Sequence, residues 1–203
     1  VFEEPLDGYR GPHDSIWSQE FYETGEERDF IRGFTYETTR GRGLVATALT
    51  GVHSGHIPWG AGHHDAYRKL HNRIAGMVAI CEDLPEEHNS VTLDPSIKDA
   101  HGIPAPKMTY SISDNSQKML DFAVARATET LRAAGATDVI IELPLASGGW
   151  HLMGTARMGK DPQKSVVNEW GRSHDVKNLF IVDGSIFVTS AGVNPTRTIQ
   201  TLA

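Results

Sequence analysis

The chain has 203 residues, 39% of them hydrophobic and 22% charged, and a formal net charge of −7. This composition is typical of a soluble globular protein and excludes a disordered one, while the acidic balance argues against nucleic acid or an anionic membrane as a partner. No apolar run reaches the roughly 18 residues that would indicate a transmembrane segment, and the single cysteine, Cys81, excludes an internal disulfide. The sequence is compatible with either the cytoplasm or the periplasm as the compartment.

The first part of the chain shows weak patterns. Residues 1–28 are polar and aromatic without a period and predict a loop or the tail of an extended segment, whereas residues 29–39 and 44–49 fit either a strand or a short helix. Residues 41–46 read G-R-G-L-V-A, but no apolar strand precedes them and no well-placed acidic residue follows. We therefore interpret this segment as a loop and not as a dinucleotide-binding turn.

Residues 52–72 contain five of the ten histidines: His53, His56, His63, His64 and His71. Their spacing could suit zinc. Gly51 and three glycines within this region predict a loop, however, and no cysteine joins the histidines. We predict no metal site and interpret these side chains as exposed, with a short helix over 65–73; a metalloprotein stays open as an alternative.

The middle of the chain predicts alternating strands and one long helix. Residues 74–81, 90–93 and 107–112 predict three short strands, whose tight connectors indicate antiparallel pairing. Residues 115–134 carry apolar side chains at helical spacing, with Asp114 as a candidate N-cap and Gly135 as a stop. Residues 139–143 predict a fourth strand, so this part has the composition of an α+β domain.

The last part predicts a second domain after a boundary near residue 147. The run Leu-Phe-Ile-Val at 179–182 is typical of a buried parallel strand, and a ligand crevice is expected where such a strand ends, here at Asp183 and Gly184. Pro195 can be the first residue of a helix over 196–203.

Two blocks in this last part carry the chemistry. Residues 149–159 read G-W-H-L-M-G-T-A-R-M-G; residues 182–186 read V-D-G-S-I and are followed by N-P-T-R-T-I at 194–199. A histidine among glycines and an asparagine before a proline suit a backbone that lies close to a flat ligand. The paired blocks resemble the C-terminal signature of the glucose-methanol-choline family of flavin oxidoreductases, and the resemblance covers roughly residues 80–203.

The resemblance implies an FAD cofactor and two active-site residues. His151 would be the catalytic base, because imidazole exchanges a proton near neutral pH. Asn194 would orient the substrate hydroxyl, because its amide both donates and accepts; the family often has a second histidine there, so His151 is left as the strong base. The implied cofactor-binding residues are Asp183, Gly184, Asn194, Pro195 and Thr196, with the helix N-terminus facing the reduced flavin.

The architecture implied is a substrate-binding domain over 1–147, in which an antiparallel sheet packs with helices. Residues 148–203 would then supply the closing strand and helix of an FAD-binding Rossmann-like domain. The sequence lacks the ADP-binding half, which we expect in an N-terminal part of the same polypeptide, so the 203-residue chain alone should be inactive.

The resemblance is strongest to bacterial sugar and sugar-acid dehydrogenases. It implies oxidation of a sugar, polyol or related alcohol at a CH–OH group, with electrons passing to a quinone or cytochrome partner. A non-catalytic carbohydrate-binding module, using Trp59, Trp150 and Trp170, is the other alternative.

Overall fold

The computed structural model describes residues 1–11, 14–143 and 149–203, and in these ranges it has a mixed α and β fold with small antiparallel sheets. The strands are β1 (Asp14–Ser18), β2 (Phe34–Thr39), β3 (Gly76–Cys81), β4 (Ser90–Lys98) and β5 (Pro104–Thr109). The helices are α1 (Leu44–His53), α2 (His63–Leu70), α3 (Asp114–Ala133) and α4 (Thr196–Leu202), with a 3₁₀ turn at Gly184–Ile186. The predicted α+β class is confirmed at this level.

The chain forms two compact units. One consists of Val1–Glu23, Phe34–Ile80 and Leu120–Leu143, and the other of Thr24–Gly33, Cys81–Met119 and Pro144–Ala203. The predicted domain boundary at residues 147 and 148 lies outside the described residues, and the division into 1–147 and 148–203 stays a prediction.

The core of the first unit is aromatic. Phe34 and Tyr36 lie two residues apart and therefore point to the same face of β2, and both are buried. The Phe21 ring stacks on Phe34 with centroids 5.3 Å apart and meets the edge of Phe122 from α3 at 5.4 Å. The buried hydroxyl of Tyr36 donates to the carbonyl of Ala123 at 2.6 Å, which satisfies its polar end.

The first unit corrects part of the loop prediction for residues 1–28. β1 lies within that range and pairs antiparallel with β2, in a sheet of order β1-β2-β3. The sequence of β1, D-S-I-W-S, does not alternate between polar and apolar residues, so pairing with β2 decides its structure. In the range 29–39, where either element was predicted, Phe34–Thr39 form strand β2, and residues 44–49 are helical, in α1.

The predicted loop over 52–72 is partly wrong as well. His53 ends α1, and α2 begins at His63, earlier than the predicted residue 65. Gly62 adopts φ +83°, in the left-handed region, and turns the chain into α2. Gly51 of α1 is required by packing, because a Cβ there would collide with the buried side chain of Ile57.

The second unit contains an antiparallel ribbon of β4 and β5, as predicted for two of the three middle strands. The third, β3, lies instead in the sheet with β1 and β2. β4 is longer than predicted because a register shift after Leu93 absorbs the Asp94–Pro95 turn. The Asp94 carboxylate accepts from the hydroxyl and amide of Ser96 and the amide of Ile97, and these hydrogen bonds lower its pKa.

Helix α3 confirms the most strongly periodic prediction, although its N-cap differs. Ser113 caps the helix in place of Asp114: its side-chain oxygen accepts from the Ser116 amide at 3.2 Å. At the other end Gly135, with φ +95°, forms the predicted stop, and the Ala136 amide donates to the carbonyl of Leu131.

Two predicted strands are wrong. Residues 139–143 have no strand structure, because the Val139 amide bonds to the Asp138 side chain and not to a neighbouring strand. Residues 179–182 form only a short antiparallel bridge, with Ser173 donating to Leu179 and Ile181 donating to Gly171. Three of these four side chains are exposed, so the run is not a buried strand within the described residues. A buried parallel strand needs partners on both sides.

Candidate functional site

The two sequence blocks lie side by side in the second unit. The amides of Gly154, Ala156 and Met158 donate in turn to the carbonyls of the 3₁₀ turn, at 3.4, 2.8 and 2.8 Å; these acceptors are Gly184, Ser185 and Ile186. Backbone hydrogen bonds therefore hold the segment that follows His151 against the segment that follows Asp183, and neither block alone predicts this pairing.

Gly184 is the point at which three segments meet. The residue is buried, and a Cβ there would lie 3.4 Å from Met153 Cγ, 3.4 Å from Ile199 Cδ1 and 3.5 Å from the Leu152 carbonyl. A methyl group would therefore just fit between the first block and helix α4, and a larger side chain would not. Contact between Gly184 and a cofactor stays a prediction.

Asp183 forms the N-cap of the 3₁₀ turn. Its Oδ1 accepts from the Ser185 amide at 2.8 Å, and hydrogen bonding from the side chain and then the amide of Ser185 lowers the pKa of Asp183. The carboxylate is exposed and keeps capacity for a further donor. Its role in cofactor binding also stays a prediction.

His151 has an unusual backbone conformation, with φ +64°, and Gly149 nearby has φ +105°. Non-glycine residues seldom adopt this left-handed region, and at a functional site such strain serves to orient a side chain. His151 is half-buried, while its neighbours Trp150 and Leu152 are exposed. Within the ranges 1–11, 14–143 and 149–203 the imidazole forms no hydrogen bond, so its nitrogens stay available to a ligand.

Asn194 is exposed, and its amide likewise has no hydrogen-bond partner among the residues described. Pro195 is the N-cap of α4 and not its first residue, and the Ile199 amide donates to its carbonyl at 3.1 Å. The predicted helix is confirmed over Thr196–Leu202. Helix α4 has only two turns, so its dipole is small and would contribute little to binding a flavin.

Sequence reasoning missed a side-chain cluster around Asp83. The carboxylate accepts from the Tyr110 hydroxyl at 2.7 Å and from Ser116 Oγ at 2.5 Å, while the Asp83 backbone carbonyl accepts from Ser190 Oγ at 3.2 Å. These partners lie 27, 33 and 107 residues away, so no local pattern could have indicated them. The Glu-Asp-Leu-Pro segment predicted only a turn.

Two pKa shifts accompany the cluster. Burial, and then the hydrogen bond to Asp83, raise the pKa of Tyr110 to about 12. Burial, with the Asp83 charge adding to it, raises the pKa of Cys81 to about 12 as well. At neutral pH the thiol is therefore protonated, and Cys81 is unsuited to act as a nucleophile.

Two histidines of residues 52–72, His63 and His71, are half-buried and have structural contacts, and the other three are exposed as predicted. His63 Nδ1 lies 3.1 Å from the Pro58 carbonyl, and the His71 ring stacks on Tyr67 at 5.2 Å. Across the described residues no three His, Cys, Asp or Glu side chains are placed to hold a metal ion. The same part of the chain contains no helix that is long and apolar enough to cross a membrane.

The tryptophans of the alternative carbohydrate module are all exposed. Trp59 belongs to the first unit, and Trp150 and Trp170 belong to the second.

Comparison with known proteins now identifies the family. Residues 85–203 match the family model described as GMC oxidoreductase. The 2-methyl-1,2-propanediol dehydrogenase of Mycolicibacterium austroafricanum is 39% identical over 98% of this chain and 36% of its own length. The fructose dehydrogenase large subunit of Gluconobacter japonicus is 35% identical over 60% of this chain and 22% of its own.

A third relative, the gluconate 2-dehydrogenase flavoprotein of Pantoea cypripedii, is 30% identical over 71% of this chain and 25% of its own length. The chain thus spans 22% to 36% of the length of these relatives. The match to the family model covers more than half of the chain and includes both blocks, and the chain therefore belongs to the GMC oxidoreductase family.

Proposed function

We propose that this chain is the C-terminal part of an FAD-dependent dehydrogenase that oxidises a CH–OH group of an alcohol, polyol or sugar, with His151 as the catalytic base. The observation that carries the proposal is the backbone pairing of residues 154–158 with Gly184–Ile186. This pairing places the two blocks of the family signature together. The names of the three relatives, dehydrogenases of a diol, a sugar and a sugar acid, support the substrate class.

The exposed polar groups of the second block support a flavin site. Asn194 offers an exposed amide that can donate and accept, and Thr196 offers an exposed hydroxyl at the start of α4. Asp183 offers a carboxylate oxygen beyond the one used by the Ser185 amide. These three residues, with the backbone near Gly184 and Pro195, would hold FAD, which supplies the two-electron acceptor for the hydride leaving the carbinol carbon.

The residues of this chain handle the proton and the orientation of the substrate. As the C–H bond breaks, the hydroxyl proton passes to an imidazole nitrogen of His151, and the carbinol becomes a carbonyl. Asn194 donates to the substrate oxygen and keeps it turned towards His151. Because the imidazole is not bonded to the described part of the fold, it can serve this exchange without first breaking an internal hydrogen bond.

The proposal extends to the rest of the protein. An N-terminal half of the same polypeptide would bind the ADP moiety, and residues 148–203 would pack on it to complete an FAD-binding Rossmann-like domain. The exposed apolar side chains of Leu179, Phe180 and Val182 support this docking, because packing against the rest of the protein would remove them from water. A quinone or cytochrome would then reoxidise the flavin.

The exposed tryptophans support carbohydrate binding without catalysis as a second candidate. Flavin chemistry separates the two, because a binding module would take up sugar but would not reduce a flavin.

The test uses the flavin-loaded polypeptide that contains this chain, with 2-methyl-1,2-propanediol, fructose and gluconate as substrates. We expect at least one to reduce the flavin under anaerobic stopped flow. His151→Ala should retain FAD and slow this reduction by about 10²–10⁴-fold, the usual contribution of a positioned general base. His101→Ala is the matched control, since His101 lies exposed in the β4–β5 turn. Unchanged reduction by His151→Ala would overturn the assignment.

A further inference from the structure

We propose that Ser190 and Asp83 are positioning residues for Asn194: the hydrogen bond from the Ser190 hydroxyl to the Asp83 carbonyl holds the segment that carries Asn194. We call Asp83, Tyr110, Ser116 and Ser190 the Asp83 brace. The inference rests on the proposed function, because it assigns a support to the residue that orients the substrate hydroxyl.

The brace starts from a well-anchored residue. The Asp83 carboxylate accepts one hydrogen bond from the Tyr110 hydroxyl, just after β5, and one from the Ser116 hydroxyl, in the first turn of α3. Hydrogen bonds to a carboxylate are about twice as strong as those between neutral groups. Ser116 is itself buried, so water does not compete freely for this bond. Asp83 is thereby tied to two elements of the second unit.

The backbone before Asp83 is anchored as well. The amide of Glu82 donates to the Gly33 carbonyl at 3.1 Å, and the buried Glu82 carboxylate lies 3.5 Å from Arg32 Nε. Because the Asp83 side chain and the neighbouring Glu82 are both held by hydrogen bonds, the backbone carbonyl of Asp83 is an acceptor with a fixed position.

Ser190 connects that acceptor to the site. Its hydroxyl reaches Asp83 O at 3.2 Å across 107 residues of sequence, in a partly buried position. Only three residues separate Ser190 from Asn194; Gly192 among them is buried, and Ala191 and Val193 are half-buried. A segment this short and this well packed transmits the position of Ser190 to Asn194.

Two contacts described above hold the chain on either side of Ser190 and Asn194. The Met158 amide bonds to Ile186, and Ile199 of α4 packs at Gly184. Ser190 supplies a side-chain tether between those two points. Without it, the segment would still be held at both ends, but the Asn194 amide would sample more positions.

The experiment compares variants of the flavin-loaded polypeptide, with whichever of 2-methyl-1,2-propanediol, fructose or gluconate reduces the wild type. Ser190→Ala should keep its FAD content and melting temperature close to wild type. Its limiting rate of flavin reduction should fall about tenfold, the effect of one net hydrogen bond, while the substrate concentration at half-maximal rate stays similar. Thr189→Ala, which removes the exposed hydroxyl next to Ser190 in the sequence, should show the wild-type rate of flavin reduction.

A pair of β-branched variants isolates the hydroxyl, and it decides the matter if Ser190→Ala folds poorly. Ser190→Thr keeps the donor and should reduce faster than Ser190→Val, which has the same shape without it. Equal rates for the two would overturn the inference, since packing alone would then account for position 190.

A double-mutant cycle with Asn194→Ala tests the route. We expect Ser190→Ala to have no further effect in that background, because the brace acts through Asn194. Independent, additive losses would overturn the inference while leaving the proposed function intact. If Asn194→Ala alone reduces at the wild-type rate, Asn194 has no role in the site, and both its assignment and this inference fail; the loss of rate in His151→Ala still tests the dehydrogenase separately.

Discussion

The amide of Ala156 donates to the carbonyl of Ser185 at 2.8 Å, and this bond joins the histidine block to the Asp-Gly turn. Its neighbours on either side, at Gly154 and Met158, extend the contact along the 3₁₀ turn. Backbone hydrogen bonds of this kind would hold the proposed base, His151, within the narrow geometry that proton transfer needs. The site should therefore be sensitive to changes that disturb packing at the turn.

Gly184→Val should destabilise the protein, because the new side chain meets Met153 and Ile199. Overpacking of this kind costs about 1–3 kcal/mol in the free energy of unfolding, which urea denaturation can measure. Gly184→Ala is the graded control, because its Cβ would make only ordinary contacts of 3.4 to 3.5 Å with Met153, Ile199 and Leu152. Equal stability of the two variants would contradict the packing assigned to Gly184.

Asn194→Asp should slow flavin reduction and lower the flavin's reduction potential, because it places a negative charge where the reduced flavin gains one. A polar group left unpaired costs about 1–3 kcal/mol, or roughly ten to a hundredfold in rate. Asn194→His should keep part of the activity, because the related family uses histidine there. A wild-type rate with an unshifted potential in Asn194→Asp would leave Asn194 without a role in catalysis.

Cys81 should resist alkylation in the native protein at pH 8. Its pKa is raised from 9.0 to about 12, so almost no thiolate forms, and the side chain is mostly buried. In denaturant one thiol per chain of this sequence should react with iodoacetamide. Rapid labelling of the folded protein at Cys81, found by mass spectrometry, would contradict this environment.

The same shift has a consequence for stability at high pH. Between pH 9 and about 12 the unfolded chain loses the Cys81 proton while the folded chain keeps it. The unfolded state is thus favoured progressively as pH rises through that window. Cys81→Ala should flatten this part of the stability profile relative to the wild type, and parallel profiles for the two proteins would contradict the assignment.

Tyr36→Phe should reduce stability by about 0.5–1.5 kcal/mol, the net contribution of one hydrogen bond, because the carbonyl of Ala123 loses its side-chain donor. Tyr22→Phe is the control: the Tyr22 hydroxyl bonds to no other residue in the described ranges. Urea denaturation of both variants makes the comparison, and a loss confined to Tyr22→Phe would show that the aromatic core is misassigned.

The parts of the fold that sequence predicted well have local causes. Helix α3 follows from its own periodicity and its glycine stop, and the β4–β5 ribbon from two short apolar runs around a turn. The adjacency of the two blocks was expected from resemblance to a family, since nothing in either block specifies the other.

The parts it missed depend on distant partners. Residues 179–182 have the composition of a buried strand, yet that composition cannot tell whether neighbouring strands are present to pair with it. Asp83 looked like a turn residue because its role is defined by Tyr110, Ser116 and Ser190, which are far away in sequence. A capping residue can likewise be misplaced by one position, as Ser113 and Asp114 show, when both are good caps.

The left-handed backbone at His151 restricts which residues can replace histidine at this position. Asn, Asp and His enter this region far more readily than other side chains, and a β-branched residue would be a strained outlier. A Val or Ile at this position would disturb the turn as well as remove the imidazole, so the two effects could not be told apart. Asparagine suits the same backbone without providing a base, which makes His151→Asn the replacement that separates the chemistry of the ring from the geometry of the chain.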